Sequence, residues 1–168
     1  MTATATTATP RWSARPFTAR DREPVLAFFT EPDFHFRTAQ PDTRSEAEID
    51  ALLDDSTRVL LADGEPVGLY GVEDVGSEHG SHIQLDLRLR GSAPDTWWPA
   101  ALEEVLRGLR WSREIVRVTV RVGAYDTRGL AAARAAGLTE EGTLGDIELH
   151  DGVRSGTVFF SRIWAPTS

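Results

Sequence analysis

Between Ser81 and Arg110 the chain gathers residue types that acid–base and anion chemistry require. Ile83, Leu85, Leu87 and Leu89 alternate with His82, Gln84, Asp86, Arg88 and Arg90, the period of two expected of a strand with one apolar and one polar face. An imidazole at His82 or a carboxylate at Asp86 on an interior strand can take a proton directly or through water, a contribution of about 10² to 10⁴ in rate. Burial shifts the pKa of such groups, so they are more informative there than on a surface helix. Glu78 and His79 stand just before the strand. The competing reading is a polar face that is solvated or paired with arginines, Asp86 with Arg88 or Arg117, and both readings stay open. Beyond the strand, Gly91-Ser-Ala-Pro-Asp-Thr-Trp-Trp-Pro99 leads into Leu102, Val105, Leu106 and Leu109 at helical spacing. A strand, glycine-containing loop and helix point loop amides and a helix N-terminus at one place, which suits a phosphate.

Other elements must hold this unit in position. Trp12 to Thr18 reads as a first strand, at an edge or irregular because of Pro16. Val25, Leu26, Phe28 and Phe29 suggest a short helix from Asp21, with Pro24 tolerated in its first turn. Glu31 to Arg44 is a loop whose Phe34 and Phe36 either close over the core or, with His35 and Arg37, line a pocket. Ser45 with Glu48 at N3 forms a capping box before Ile49, Leu52 and Leu53. Arg58 to Val72 reads as two strands around Asp63-Gly64, a hairpin turn. Ile115 to Val122 alternates strongly. Asp126 to Gly137 has a capping start, an alanine-rich body and a glycine stop. Thr143 to His150 and Val153 to Ile163 flank a second hairpin signal, Asp151-Gly152.

The 168 residues suit one domain at 11–168, preceded by a Thr/Ala leader at 1–10 expected to be disordered. That leader lacks the basic and apolar regions of a signal peptide, and no run of 18 apolar residues is present, so a cytoplasmic protein without a membrane partner is expected. The absence of cysteine removes disulfides and thiolate nucleophiles. A net charge of −8 argues against duplex nucleic acid as partner. All 18 basic residues are arginine. The four histidines show no metal-ligand spacing, so no metal is expected.

The order strand, two helices, three strands, helix, strand, helix, two strands resembles the GNAT (general-control-related N-acetyltransferase) superfamily. Two motifs carry the resemblance. Arg88-Leu-Arg-Gly91-Ser-Ala93 matches the family's R/Q-x-x-G-x-G/A pyrophosphate motif, and Gly137-Leu138, Gly142, Asp151-Gly152 and Phe159-Phe160-Ser-Arg-Ile163 resemble its C-terminal pattern. The resemblance implies an α/β (α+β) fold, a central mixed twisted sheet of about seven strands flanked by four helices. It also implies transfer of an acyl group, acetyl or another, from coenzyme A to a small-molecule amine without a metal.

On that basis Leu87, Arg88, Arg90, Gly91, Ser92, Ala93 and Asp126 are expected to hold the acyl-CoA, His82 and Asp86 to act in catalysis, and His35, Arg37 and Tyr70 to face the substrate. Four departures bear on the reading. The strand alternation keeps Arg88 in the strand, whereas the motif wants it in the loop. Pro94 and Pro99 let the loop extend to Trp98, with Pro99 first in the helix. Ala133 stands where many members carry a tyrosine that protonates the departing thiolate, and Asp126 replaces an asparagine. Two other readings therefore remain: a ligand-binding or interaction module without CoA chemistry, and an acyltransferase fed by a carrier protein. A homodimer through edge strands or tails is a further expectation.

Overall fold

A computed structural model describes residues 9–37, 44–76 and 81–165. Residues 1–8 of the expected leader, and Glu78 and His79, lie outside the described residues. Seven strands form one sheet in the order β1-β2-β3-β4-β5-β7-β6. They are β1 (Trp12–Pro16), β2 (Arg58–Ala62), β3 (Glu65–Asp74), β4 (His82–Leu89), β5 (Arg117–Gly123), β6 (Thr139–His150) and β7 (Val153–Ile163). Every neighbouring pair is antiparallel except β4 and β5. A parallel pair needs a crossover connection, and α3 (Trp97–Ser112) supplies it. The other helices are α1 (Arg22–Phe28), α2 (Glu46–Leu52) and α4 (Thr127–Ala135). None of the described helices is long and apolar enough to cross a membrane.

Each face of the sheet has its own core. On one face Ile83, Leu85, Leu87 and Leu89 of β4 pack with Trp98, Leu102, Val105 and Leu106 of α3 and Ala133 of α4. On the other, Val59 and Leu69 meet Val25, Phe28 and Phe29 of α1, Ile49 of α2, and Phe34 and Phe36 from the loop between the helices. Those two phenylalanines are almost wholly buried, which settles them as core residues. Burying two large aromatic side chains fixes an otherwise irregular segment, at roughly 1.5–3 kcal/mol each.

Local signals set most boundaries. Ser45 accepts from the Glu48 amide while Glu48 reaches back to the Ser45 amide, completing the capping box. Asp63 and Gly64 take positive φ angles of 51° and 89°, as the β2–β3 turn demands. The loop before α3 ends earlier than expected. The helix begins at Trp97, so Pro99 is its third residue rather than its first. The first four amides of a helix have no intrahelical acceptor, so a proline there sacrifices nothing.

Gly68 shows how closely β3 and β4 approach. A Cβ at this position would lie 2.3 Å from the Arg88 carbonyl oxygen. Gly68→Ala is expected to destabilise the fold by about 1–3 kcal/mol, the usual cost of overpacking, read as a lower urea midpoint. An unchanged midpoint would show that the strands separate freely here.

Asp21 ties β1 to the start of α1. Arg15 donates to both of its carboxylate oxygens at 2.6 Å, and the Thr18 amide and hydroxyl add two more bonds. The Arg15 contact outweighs burial and holds the Asp21 carboxyl at about 2, below the ordinary 3.8. A folded-state pKa below the unfolded one stabilises the protein above pH 3.8, and that contribution is lost as the pH falls towards 2. Denaturation of wild type and Asp21→Asn across that window should show a shallower pH slope for the variant; equal slopes would remove Asp21 from the account.

Candidate functional site

The sheet opens at its centre. β4 and β5 pair only through His82–Gln84 and Arg117–Thr119, yet β4 runs on to Leu89 and β5 to Gly123. A cavity of about 390 Å³ lies over this opening, on the polar face of β4. Gln84, Asp86 and Arg88 border it from β4, Arg121 and Gly123 from β5, and Glu73 from β3. His35 and Arg37 come from the α1–α2 loop, while Tyr125 and Glu148 lie beyond β5 and on β6.

Asp86 is the best-fixed carboxylate. Its Oδ2 accepts from the Arg37 amide at 2.7 Å, while Oδ1 lies 3.5 Å from Arg88 Nη1 and has no hydrogen-bond partner. Arg37 takes a positive φ of 51° to present that amide. Its guanidinium is spent on structure, donating to Leu52 O and Ser56 Oγ and pairing with Asp54 at 3.0 Å. Arg88 is buried, donates to the Leu87 carbonyl at 3.0 Å, and stands 4.0 Å from Asp126. Its Nε is unpartnered. Asp126 caps α4 through the Gly129 amide at 2.8 Å.

Beside the cavity, Tyr125 and His150 stack in parallel with centroids 3.8 Å apart, and His35 meets both edge-on. Burial lowers the pKa of His35, so the imidazole stays neutral at neutral pH, and its Nδ1 has no partner. Burial, helped by nearby Glu148, pushes the Tyr125 phenol up, so it keeps its proton. A neutral imidazole can accept a proton and a protonated phenol can supply one.

The loop after β4 already engages an anion. The Gly91 amide donates to the Glu31 carboxylate, and a Cβ on Gly91 would lie 3.0 Å from Glu31 Oε2 and 3.3 Å from Asp33 Oδ1. Arg128 of α4 braces the loop through Gly91 O, Ala93 O and Asp95.

No protein-family model matches the sequence, and no curated protein matches it either. Solved structures do resemble the fold. The acetyltransferase of GNAT family from Streptococcus pneumoniae is 13% identical, with a TM-score of 0.68 over 92% of this chain and 100% of that one. The ribosomal-protein-alanine N-acetyltransferase from Brucella melitensis is 16% identical, with a TM-score of 0.71 over 90% and 99%. yncA from Salmonella typhimurium, solved with its cofactor acetyl-CoA, is 11% identical, with a TM-score of 0.68 over 90% and 93%.

The chain has the GNAT fold. The acyl-CoA that this fold implies fits the residues present. The parted strands leave room beside Arg88, whose Nε is an orphaned donor, as is the buried Nε of Arg90. The carboxylate of Glu31 stands in for an anionic oxygen on Gly91, so a phosphate at that amide must displace it.

The expected residues are distributed unevenly within this GNAT fold. Asp86, Arg88, His35 and Arg37 converge on the cavity. His82 does not border it; its Nε2 bonds Thr119 Oγ1 at 2.8 Å, where β4 and β5 are still paired. Tyr70 corrects the expectation of a substrate-facing side chain, since it packs on the α3–α4 core, on the opposite face. Arg88 lies in the strand and not in the phosphate loop, so only Arg90, Gly91, Ser92 and Ala93 of the matched motif form the loop. Ala93 is buried in the core. Leu87 borders the opening from the α3–α4 side, together with Ala133. The reading of sequence missed Glu31, Glu73, Arg121, Tyr125 and Glu148. Tyr125 had a signal, standing between the end of a strong strand and a helix cap, where loops of α/β sheets gather ligands. Glu148 had none, because its place depends on how the β6–β7 hairpin lies.

Proposed function

We propose that the protein is an acyl-CoA-dependent N-acyltransferase, of the acetyl-transferring kind, acting on a small-molecule amine in the cytoplasm. The observation that carries this reading is the parting of β4 from β5 with Asp86 on one bank and the Gly91 loop beyond it. When bound, acyl-CoA supplies an activated thioester carbonyl. Arg90, Gly91 and Ser92 would hold the pyrophosphate, and the free edge of β4 around Asp86, Leu87 and Arg88 would hold the pantetheine arm. Asp86 takes a proton from the amine, directly or through water, and the nitrogen then bonds to the acyl carbon as the carbon–sulfur bond breaks. The phenol of Tyr125 is positioned in the same cavity to return a proton to sulfur, the role that Ala133 cannot fill. His35, neutral and buried, helps exclude water.

A module without CoA chemistry is the second reading. It is favoured by the Glu31 carboxylate on Gly91 and by the Arg88 guanidinium lying against the Leu87 carbonyl. Calorimetric titration with acetyl-CoA, 3′-dephospho-CoA and pantetheine separates the two. Binding that weakens stepwise as phosphate is removed supports the enzyme. No binding at millimolar ligand supports the module or an acyl donor held on a carrier protein.

A further inference from the structure

Two opposite charges border the cavity without a partner. Arg37 is paired with Asp54, Asp86 with the Arg37 amide and Arg88, and Glu148 accepts from Thr157 at 2.5 Å. Among the described residues the side chains of Glu73 and Arg121 make no hydrogen bond and no ion pair, and both residues are exposed at the cavity wall. Their places are set by register. Glu73 pairs with Gln84 across β3 and β4, and Gln84 pairs with Thr119 across β4 and β5. Because side chains alternate along a strand, Glu73, Gln84, Asp86, Thr119 and Arg121 share one face. Asp86 and Arg121 each lie two residues past the last pair, so they stand level on the two banks of the opening. With paired strands about 4.8 Å apart and β4 and β5 wider than that at the opening, Glu73 and Arg121 are separated by at least about 12 Å at Cα, a gap that two long side chains and a small molecule between them can span.

We propose, building on the acyltransferase reading, that the acceptor is an amino acid or another small amine bearing a carboxylate. Arg121 holds the acceptor carboxylate in a charge-assisted pair, and Glu73 and Asp86 receive its ammonium group. A plain amine would leave Arg121 unanswered, and an acid without an amine would bring a carboxylate against Glu73 and Asp86. A site with a cation on one bank and carboxylates on the other therefore selects the zwitterion. One ammonium proton passes to Asp86, and the nitrogen bonds to the acyl carbon as the carbon–sulfur bond breaks. The nitrogen gives up its second proton, the departing sulfur takes a proton and leaves as the free thiol, and the carboxylate stays unmodified on Arg121.

The test compares L-amino acids with their decarboxylated counterparts, tryptophan with tryptamine and lysine with cadaverine among them. Thiol release from acetyl-CoA measures turnover, and ligand-observed NMR without acetyl-CoA measures binding alone. Amino acids should be preferred over the matching amines. Arg121→Ala should raise KM for amino acids by about 10- to 100-fold, as expected for a lost hydrogen bond to a charged group, and should not raise KM for the amines. Arg121 is exposed, so its loss spares the fold. Equal use of amines and amino acids, or an Arg121→Ala enzyme with unchanged KM, overturns the proposal while the acyltransferase reading stands. If no amine is acylated, that reading fails, and the NMR comparison still decides whether the cavity prefers a zwitterion: stronger binding of amino acids upholds it, and equal or no binding overturns it.

Discussion

Asp86→Asn is expected to lower kcat for amine acylation by about 10²- to 10⁴-fold, with little change in affinity for acetyl-CoA. Asparagine keeps an oxygen that can accept from the Arg37 amide, now bonded to Asp86 at 2.7 Å. The local backbone should therefore persist while the proton acceptor is lost. His82→Ala provides the contrast. Its imidazole is bonded to Thr119 away from the cavity, and burial followed by the Arg117 charge lowers its pKa. Removing it should change kcat by a few-fold at most. Steady-state rates across pH for both variants distinguish the two residues, and a full-rate Asp86→Asn enzyme would transfer the role of base elsewhere in the cavity.

The second large effect concerns the loop. Gly91→Trp should abolish binding of acetyl-CoA and leave the fold intact, because Gly91 is exposed and its surroundings are the carboxylates of Glu31 and Asp33 rather than core. The indole would fill the space in front of the loop amide. Glu31→Gln should act in the opposite direction. It removes a negative charge that competes with phosphate for the same donor, so acetyl-CoA should bind roughly tenfold more tightly, with a larger gain at low salt because the loop is open to solvent. Calorimetry on both variants reads each change directly. Unaltered affinity in Gly91→Trp would remove the loop from cofactor binding, and unaltered affinity in Glu31→Gln would show that the carboxylate swings clear without cost.

The individual elements of this protein were legible in its sequence. The capping box at Ser45, the Asp63-Gly64 and Asp151-Gly152 turns and the left-handed glycine after α4 each depend on neighbouring residues. Local physics determines them wherever the chain goes. The alternation through Leu89 and the loop motif pointed to two different places for Arg88, and the structure keeps it in the strand. The order of these elements, with two motifs at their places along it, carried the resemblance from which the fold was expected.

The site itself depended on which elements meet, and no local signal reports that. Glu31 reaches Gly91 across 60 positions of sequence, and Arg37 reaches Asp86 across 49. Tyr70 turns away because it stands opposite Leu87, on the core face of β4, and because β3 is buried on both faces, alternation gave no parity for its side chain. Glu73 and Arg121 look like ordinary surface charges until the register sets them on one face. By itself the sequence determined the strands, helices, caps and turns, because those arise from interactions a few residues long. Only the tertiary structure decided where β4 and β5 part, and which charges are left without partners at the opening, because pairing between distant strands creates both.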